Sequence, residues 1–321
     1  MDGVGLGLDL GGTNARAAVV ERASGRILAA FRSAVADRSP AAVAELAASV
    51  ARQAAAAAGV DPRALGTAGV GVAGQCLGTT GVVLNAPNFG WRDVPLGELL
   101  ARALGQPVRV ANDLSVAAWG ERCFGAARGL SDVLLVFVGT GVGSGLILGG
   151  RLHEGARGVA GELGHVQARP PGPGYHPRRC GCGAAGCLEA YAGGANIAAR
   201  VREELAAGAH SAIRELAGGD PSMAGPVEVE MAFTKGDQYA VALWEEVADL
   251  LGTAVASAVT LLNPERVVLG GGVLLGSPSL ERLVRARVAS LASRSALAGL
   301  SIERTRLGDD AGVLGAALLP G

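Results

Sequence analysis

The sequence predicts an α/β protein, and three observations carry that reading. Short apolar strands alternate with longer helical stretches along the chain. Glycine-rich turns directly follow several of the strands. Half of the 321 residues are hydrophobic, yet only 3% are aromatic and 51 are glycine. A core of that composition relies on small side chains that let strands and helices approach closely.

GLGLDL and ARAAVVE read as two strands joined by the turn GGTN, and RILAAF as a third. SPAAVAELAASVARQAAAAAG reads as an alanine-rich helix with Ser39 at its cap, Pro40 at its first position and Gly59 just past its end. TAGVGVAG is a buried strand. GVVLNAP is a further short strand that runs into the loop NAPNFGWRD, followed by the helix PLGELLARALG. PVRVAND is a strand stopping on two polar residues, and LSVAAWGERCFG is the helix after it.

The opening theme then returns. SDVLLVFVGTGVGSGLILGG is again strand, glycine-threonine turn, strand, and it echoes LDLGGTNARAAVV. That echo suggests two halves of similar topology, although any two glycine-turn hairpins look alike. Helices are expected near 188–207 and 210–217. DQYAVALWEEVADLLGTAVASAVTLL is a long helix closed by Asn263-Pro264. ERVVLGGGV is a strand with a glycine turn, PSLERLVRARVASLA a helix, LSIERT a strand and GDDAGVLGAALL a final helix.

The charge pattern narrows the function classes. The net charge is −1 and the basic residues are scattered, so nucleic acid is not an expected partner. The apolar runs carry glycines and are too short to span a bilayer. MDGVGLGLDLGG has no basic region ahead of its apolar residues, so a signal peptide is not expected. The five cysteines are odd in number, with Cys76 and Cys123 isolated in apolar surroundings. That is no disulfide framework, and a cytoplasmic protein is expected.

No P-loop pattern occurs, and GVGVAG at 69–74 matches GxGxxG only weakly, because its glycines lie inside a strand. DLGGTN (9–14) and GTGVGSG (139–145) are better phosphate candidates. Glycine lets backbone N–H groups approach a polyphosphate without an intervening Cβ. Thr13 or Thr140 could add a hydroxyl, and Asp9 could hold Mg²⁺ through water. Each turn alone reads better as a plain hairpin. Two of them, with GGG at 270–272 after a third strand, favour a nucleotide.

Asp113 ends the stretch VRVAND ahead of a helix. Ligands of open α/β sheets bind beyond strand carboxyl ends. An aspartate there could accept the proton of a hydroxyl that attacks a phosphoryl group. On local sequence alone, the better reading is that it is the N-cap of the helix beginning at Leu114. Glu162 and His165 in AGELGH, and Glu189 after the cysteines, offer acceptors for vicinal hydroxyls.

CGCGAAGCLE crowds Cys180, Cys182 and Cys187 into a C-x-C-x₄-C pattern with glycines at 181, 183 and 186. Three thiolates lack one ligand for a closed tetrahedral Zn²⁺ site. His165 and His176 both remain candidates for the fourth. A full Cys₃His site would be structural, tying the His165 loop to the start of the Glu189 helix and ordering a glycine-rich region.

LDLGGTNARAAVV, VRVANDLSVAAWGE, VGTGVGSG, AGELGH, CGCGAAGCLE, LNPERVVLGGGV and GDDAGVLGAA occur in this order. With these motifs the chain resembles the ROK family (repressors, uncharacterised reading frames and sugar kinases) over nearly its whole length, most closely the family's bacterial glucokinases. The resemblance implies the actin-like, ribonuclease-H-like ATPase fold, two domains around a central cleft. On this reading residues 1–112 and about 304–321 form a smaller domain, with a returning C-terminal helix, and 113–303 a larger one carrying the zinc loop.

The resemblance further implies that Asp113 is the general base and that Gly74, Asn88, Asn112, Asp113, Glu162, His165 and Glu189 bind the hexose. Asp9, Gly11, Gly12, Thr13, Thr140, Gly141, Gly270 and Gly271 would hold Mg-ATP. His165 would join Cys180, Cys182 and Cys187 as zinc ligand. The partners implied are a hexose and ATP, and the assembly a homodimer or homotetramer. Three departures stand out. Many relatives carry lysine where Asn14 stands, Ser144 replaces a common glycine, and the insert VQARPPGPGYHPRR (166–179) is long and proline-rich.

Three functions follow. The first is phosphorylation of glucose to glucose 6-phosphate. The second is a sugar-sensing repressor, which would need a DNA-reading segment; here the first phosphate strand begins within ten residues of Met1 and no basic patch is present. The third is a kinase of another sugar (N-acetylmannosamine, N-acetylglucosamine, fructose or allose) or one using polyphosphate as donor.

Overall fold

The structure, a computed structural model, describes residues 3–61, 65–169 and 176–319. Strands β1 (Val4–Leu10), β2 (Asn14–Glu21) and β3 (Ile27–Ala34) form a meander of antiparallel pairs. Helix α1 (Pro40–Ala57) turns Val43, Ala47, Val50 and Ala54 inward at helical spacing. Ser39 stands at its N-cap position but forms no side-chain cap bond; Pro40 supplies the fixed φ of the first turn. β4 (Ala68–Val72) is followed by a small antiparallel sheet of β5 (Gln75–Leu77), β6 (Val82–Ala86) and β7 (Trp91–Val94). α2 (Leu96–Leu104) ends on Gly105 in the left-handed region, and β8 (Val108–Asn112) leads into α3 (Asp113–Phe124).

The second theme comprises β9 (Val133–Val138), β10 (Val142–Leu148) and β11 (Arg151–Leu152). After the cysteine loop come α4 (Glu189–Ala192), α5 (Gly194–Ala206), α6 (Ile213–Leu216), α7 (Pro226–Thr234) and the long α8 (Gln238–Leu262), closed by Asn263 at φ 47°. β12 (Arg266–Gly270), α9 (Gly272–Gly276), α10 (Pro278–Leu291), α11 (Arg294–Leu297), β13 (Ser301–Arg304) and α12 (Ala311–Ala317) complete the chain.

The two large sheets have the orders β3-β2-β1-β4-β8 and β11-β10-β9-β12-β13. In each, the first strand of the set is central, its hairpin partners lie on one side and two later strands on the other. The shared order supports the echo of LDLGGTN in VFVGTGV as a repeated topology. The chain divides into two compact units: Met1–Val133, Gly145–Gly161 and Thr305–Gly321 form the first, Leu134–Ser144 and Glu162–Arg304 the second. No helix among the described residues is long and apolar enough to cross a membrane.

Some local expectations are corrected. The helix expected over 188–207 breaks at Gly193 (ψ 138°), because the amides of Gly194 and Ala195 bond to the Gly139 and Thr140 carbonyls (2.9 and 3.0 Å). The expected helix 210–217 is only Ile213–Leu216. α7 has no counterpart among the expected elements, because VEVE alternates like a strand. Its helical state is set by Pro226 in the first turn, by Glu228 reaching back to the Gly225 amide (2.9 Å), and by the Glu230 carboxylate accepting from Trp244 Nε1 (2.8 Å) and the Ser279 amide (2.9 Å).

In the first unit, glycines at β1, β4 and α3 seat the returning helix α12. A β-carbon on Gly7 would lie 2.0 Å from the Val313 carbonyl oxygen, and one on Gly69 1.8 Å from that of Ala316. Gly315 in turn leaves no room for a β-carbon beside the Val116 carbonyl, 1.9 Å away. This explains GVGVAG: its first glycine makes room for a helix rather than a dinucleotide. Buried Glu121 fastens the segment before α12, its carboxylate accepting from the amides of Ala126 (2.6 Å), Arg306 and Leu307 (both 2.9 Å).

Gly69→Ala is therefore expected to displace α12 and lower unfolding free energy by about 3 kcal/mol in urea denaturation. Gly276→Ala, where an added β-carbon meets nothing within 4 Å, should change it by less than about 0.5 kcal/mol.

Candidate active site and metal centre

In the first unit, Asp9 ends β1 just before the turn Gly11-Gly12-Thr13, which is closed by the Gly11 amide on the Asn14 carbonyl (2.9 Å). Register places Arg16 directly across from Asp9, and Arg32 directly across from Arg16. Arg16 is itself held by the Asp310 carboxylate and the Asp309 carbonyl oxygen (2.8 Å). Burial pushes the Asp9 carboxyl up, while the Arg16 and Arg32 guanidiniums pull against that rise. A β-carbon on Gly312 would come within 3.0 Å of Asp9 Oδ2, so the final helix begins beside this carboxylate. Arg16, Arg32 and Asp310 were not among the expected site residues. The only sequence signal is Arg16 sharing a strand face with Asn14; the partners across the ladder are visible only in the register.

Asn112, not Asp113, caps α3. Its Oδ1 accepts from the amides of Leu114 (2.9 Å) and Ser115 (3.1 Å), and its Nδ2 donates to the Gly74 carbonyl (3.1 Å). The expectation that Asp113 serves as the cap is thereby corrected. Asp113 is the first helical residue, and its Oδ1 accepts the amide of its neighbour Leu114 at 3.0 Å. The start of the helix dipole places positive potential on this carboxylate. Gly74 packs against the β6 backbone, where a β-carbon would lie 2.7 Å from the Asn85 carbonyl oxygen. Asn88 lies against the phosphate-candidate turn: a β-carbon on Gly12 would be 2.9 Å from Asn88 Cβ.

In the second unit, the turn Gly139–Val142 is braced from several sides. The Gly139 amide bonds the Gly141 carbonyl (3.0 Å), and the Val142 amide donates to Glu189 Oε2 (3.0 Å). Gly271, between β12 and α9, has φ 91° and would place a β-carbon 2.3 Å from the Val138 carbonyl oxygen. Only glycine meets both conditions, which accounts for the middle glycine of the GGG run at 270–272.

His165, Cys180, Cys182 and Cys187 each offer one ligand atom, and these atoms all lie within 4.8 Å of one another. Cys180 Sγ is 3.7 Å from His165 Nδ1, and Cys182 Sγ is 3.7 Å from Cys187 Sγ. Sulfurs about 2.3 Å from a tetrahedral ion are about 3.8 Å apart, so the donor set fits such an ion. His176 lies exposed and outside the cluster. The other His165 nitrogen, Nε2, is 3.5 Å from Glu162 Oε2, a carboxylate–imidazole contact of the kind that orients metal-ligating histidines. Burial pushes the Cys180 thiol up to about 12 and also raises Cys187, whereas the Ala184 amide lowers Cys182.

The loop is built for this convergence. Gly183 and Gly186 take positive φ, and the Cys180 amide bonds the Ala184 carbonyl (2.8 Å) to close the turn between the first thiols. The Ala168 and Leu188 amides bond Gly186 and Val166 carbonyls (2.8 and 2.9 Å), lacing the His165 segment to the Cys187 segment. Arg178 adds an anchor through Glu204 (3.5 Å), which Arg200 links to Glu246. Of the proline-rich insert, residues 170–175 lie outside the described residues.

Comparison with known proteins follows the same lines. A family model described as ROK family matches residues 5–320. The glucokinase of Thermotoga maritima is 36% identical over 237 residues, covering 74% of this chain and 73% of that protein. The glucokinase of Streptomyces coelicolor is 32% identical over 318 residues, 98% of this chain and 96% of that one. The structure of a ROK family glucokinase from Streptomyces griseus in complex with glucose and AMPPNP matches with a TM-score of 0.77 at 34% identity, covering 98% of each chain. The fold is the actin-like ATPase fold, as the motifs implied.

Elemental analysis of purified protein is expected to find about one metal ion per chain, zinc on this donor set, and Cys182→Ser should lose it. Metal added to stripped protein should release protons, because buried thiols must ionise to bind it. Affinity should therefore fall as pH is lowered, measurable by competition with a chromophoric chelator.

Proposed function

The chain belongs to the ROK family, and from that premise we propose that it is an ATP-dependent glucokinase with Asp113 as general base. Its glucokinase relatives support the sugar-kinase class, and glucose is the substrate the reading commits to. The observation that carries the role of Asp113 is the division of labour at the start of α3. Asn112 satisfies the helix amides and is itself pinned to Gly74, so the neighbouring carboxylate is not consumed as the cap.

In this mechanism the 6-hydroxyl oxygen of glucose attacks the γ-phosphorus of ATP. The bond from that phosphorus to the β–γ bridging oxygen breaks, ADP leaves, and the hydroxyl proton passes to Asp113. With a loose transition state the proton moves late, so the main task of Asp113 is to orient the hydroxyl. Asn112, Glu162, His165 and Glu189 bind the other sugar hydroxyls, with Gly74 and Asn88 beside them. The Asn112 amide still has one hydrogen to donate after its bond to Gly74.

Amides and hydroxyls of Gly11, Gly12, Thr13, Thr140, Gly141, Gly270 and Gly271 hold the nucleotide. Asp9 is the side chain assigned to the magnesium ion, which neutralises phosphate charge when bound. The raised carboxyl of Asp9 suits that assignment, since a nearby cation favours its charged form. Zinc in the His165, Cys180, Cys182 and Cys187 cluster is structural: four protein ligands leave no open position for chemistry.

Asp113→Asn should lower kcat by about 10²- to 10⁴-fold while glucose binding, measured by calorimetry, is retained. Wild-type turnover in that variant would remove the base from Asp113. A coupled ADP-release assay across hexoses and N-acetylhexosamines, with ATP or polyphosphate as donor, tests the substrate. Activity on N-acetylmannosamine or N-acetylglucosamine with none on glucose would reverse the assignment.

A further inference from the structure

We propose that Glu189 is a positioning residue that couples the sulfur–imidazole cluster to the glycine turn Gly139–Val142, so that loss of the metal loosens the nucleotide side of the site. The inference rests on reading the cluster as a metal centre and the turn as a phosphate-binding one. It goes beyond the sugar contact assigned to Glu189.

Two independent contacts meet at Val142. From one direction, Glu189 Oε2 accepts the Val142 amide at 3.0 Å, while Oε1 of the same carboxylate lies 3.7 Å from Cys180 Sγ. From the other, Gly164, next to His165, sits so close to Val142 that a β-carbon on it would be 2.0 Å from the Val142 carbonyl oxygen. Thus the two segments that supply ligands to the cluster also bracket one residue of the turn, at its N–H and at its C=O.

The turn is shaped to receive the carboxylate. A β-carbon on Gly141 would lie 2.3 Å from Glu189 Oε2, so glycine is needed there for the carboxylate to reach the Val142 amide. The chain just after Glu189 returns to the same turn, with the Gly194 and Ala195 amides on the Gly139 and Thr140 carbonyls. The donors that the phosphate reading needs, the Thr140 and Gly141 amides, sit between these fixed points. A carboxylate has about four lone-pair positions, so the Val142 bond leaves capacity for sugar hydroxyls as well. The physical link is short: an ion on Cys180 would fix the sulfur that packs 3.7 Å from Oε1, and the rigid carboxylate would carry that constraint to Oε2 and the turn.

The test uses the full chain as purified and after chelator stripping, for wild type, Glu189→Ala and Glu189→Gln. The primary readout is hydrogen exchange of the Val142 amide, which needs neither sugar nor turnover. Exchange is expected to accelerate about tenfold in Glu189→Ala, for a hydrogen bond to a charged group, and similarly in stripped wild type. Stripping Glu189→Ala should add little, since the two perturbations break one linkage. Glu189→Gln keeps an acceptor for Val142 and should hold wild-type exchange. The second readout is the dissociation constant of a non-hydrolysable ATP analogue without sugar, expected to weaken by about tenfold in the same pattern.

Unchanged Val142 exchange in metal-loaded Glu189→Ala, or effects of stripping and substitution that multiply, would overturn the coupling. If stripped protein unfolds by circular dichroism, the metal-loaded Glu189→Ala and Glu189→Gln arms decide alone. Should no form bind the ATP analogue while exchange follows the expected pattern, the kinase reading fails and the positional linkage stands.

Discussion

Three thiols and an imidazole brought within 4.8 Å of one another in a mostly buried pocket are the constraint on which the second unit depends. Burial disfavours the thiolates of Cys180 and Cys187, whereas the Ala184 amide favours that of Cys182. An ion held by the four ligands would favour the thiolates and reinforce the backbone bonds that already join the His165 and Cys187 segments. The consequence reaches past the ligands. Glu162 faces the far nitrogen of His165, and Glu189 faces Cys180, so the carboxylates assigned to the sugar stand directly behind the ligand atoms. Coordination of an ion by these ligands would help to order a local sequence rich in glycine.

The first unit solves a different problem with the same residue type. Its final helix is seated by backbone-to-backbone approach at Gly7 and Gly69, and Gly315 and Val116 repeat the arrangement at α3. Few aromatic residues are available to fill space, so contact is gained by removing side chains where elements cross. This seating brings the start of α12 beside Asp9, and Asp310 beside Arg16. The carboxylate assigned to magnesium is therefore set among charges drawn from β2, β3 and the far end of the chain. Its burial disfavours the charged form more than the two guanidiniums favour it.

The two large sheets share one strand order, and each carries a glycine turn after its first strand. The turns differ in what braces them. The Gly11–Thr13 turn has Asn88 packed against Gly12, whereas the Gly139–Val142 turn is held by a carboxylate and by the start of α5. A repeated topology has thus acquired distinct supports in its two copies. The small sheet β5-β6-β7 belongs to the first, and the cysteine loop with α4 to the second.

Much of this protein was legible in the chain itself, because the signals are local. Strand-turn-strand patterns, Pro40 and Asn263 at helix ends, and C-x-C-x₄-C all depend on neighbours a few residues away. The family followed from motifs in order, and α/β alternation from hydrophobic periodicity. Tertiary structure decided what depends on distant partners. It chose His165 over His176, since spacing along the chain says nothing about which imidazole the fold carries to the sulfurs. It made Asn112 the cap and broke a continuous helical pattern at Gly193, because bonds to Gly74, Gly139 and Thr140 outweigh local propensity. It set Arg16, Arg32 and Asp310 around Asp9, and gave Glu189 its bond to Val142. Each of these contacts joins residues far apart in sequence, and only the packed chain brings their atoms within reach.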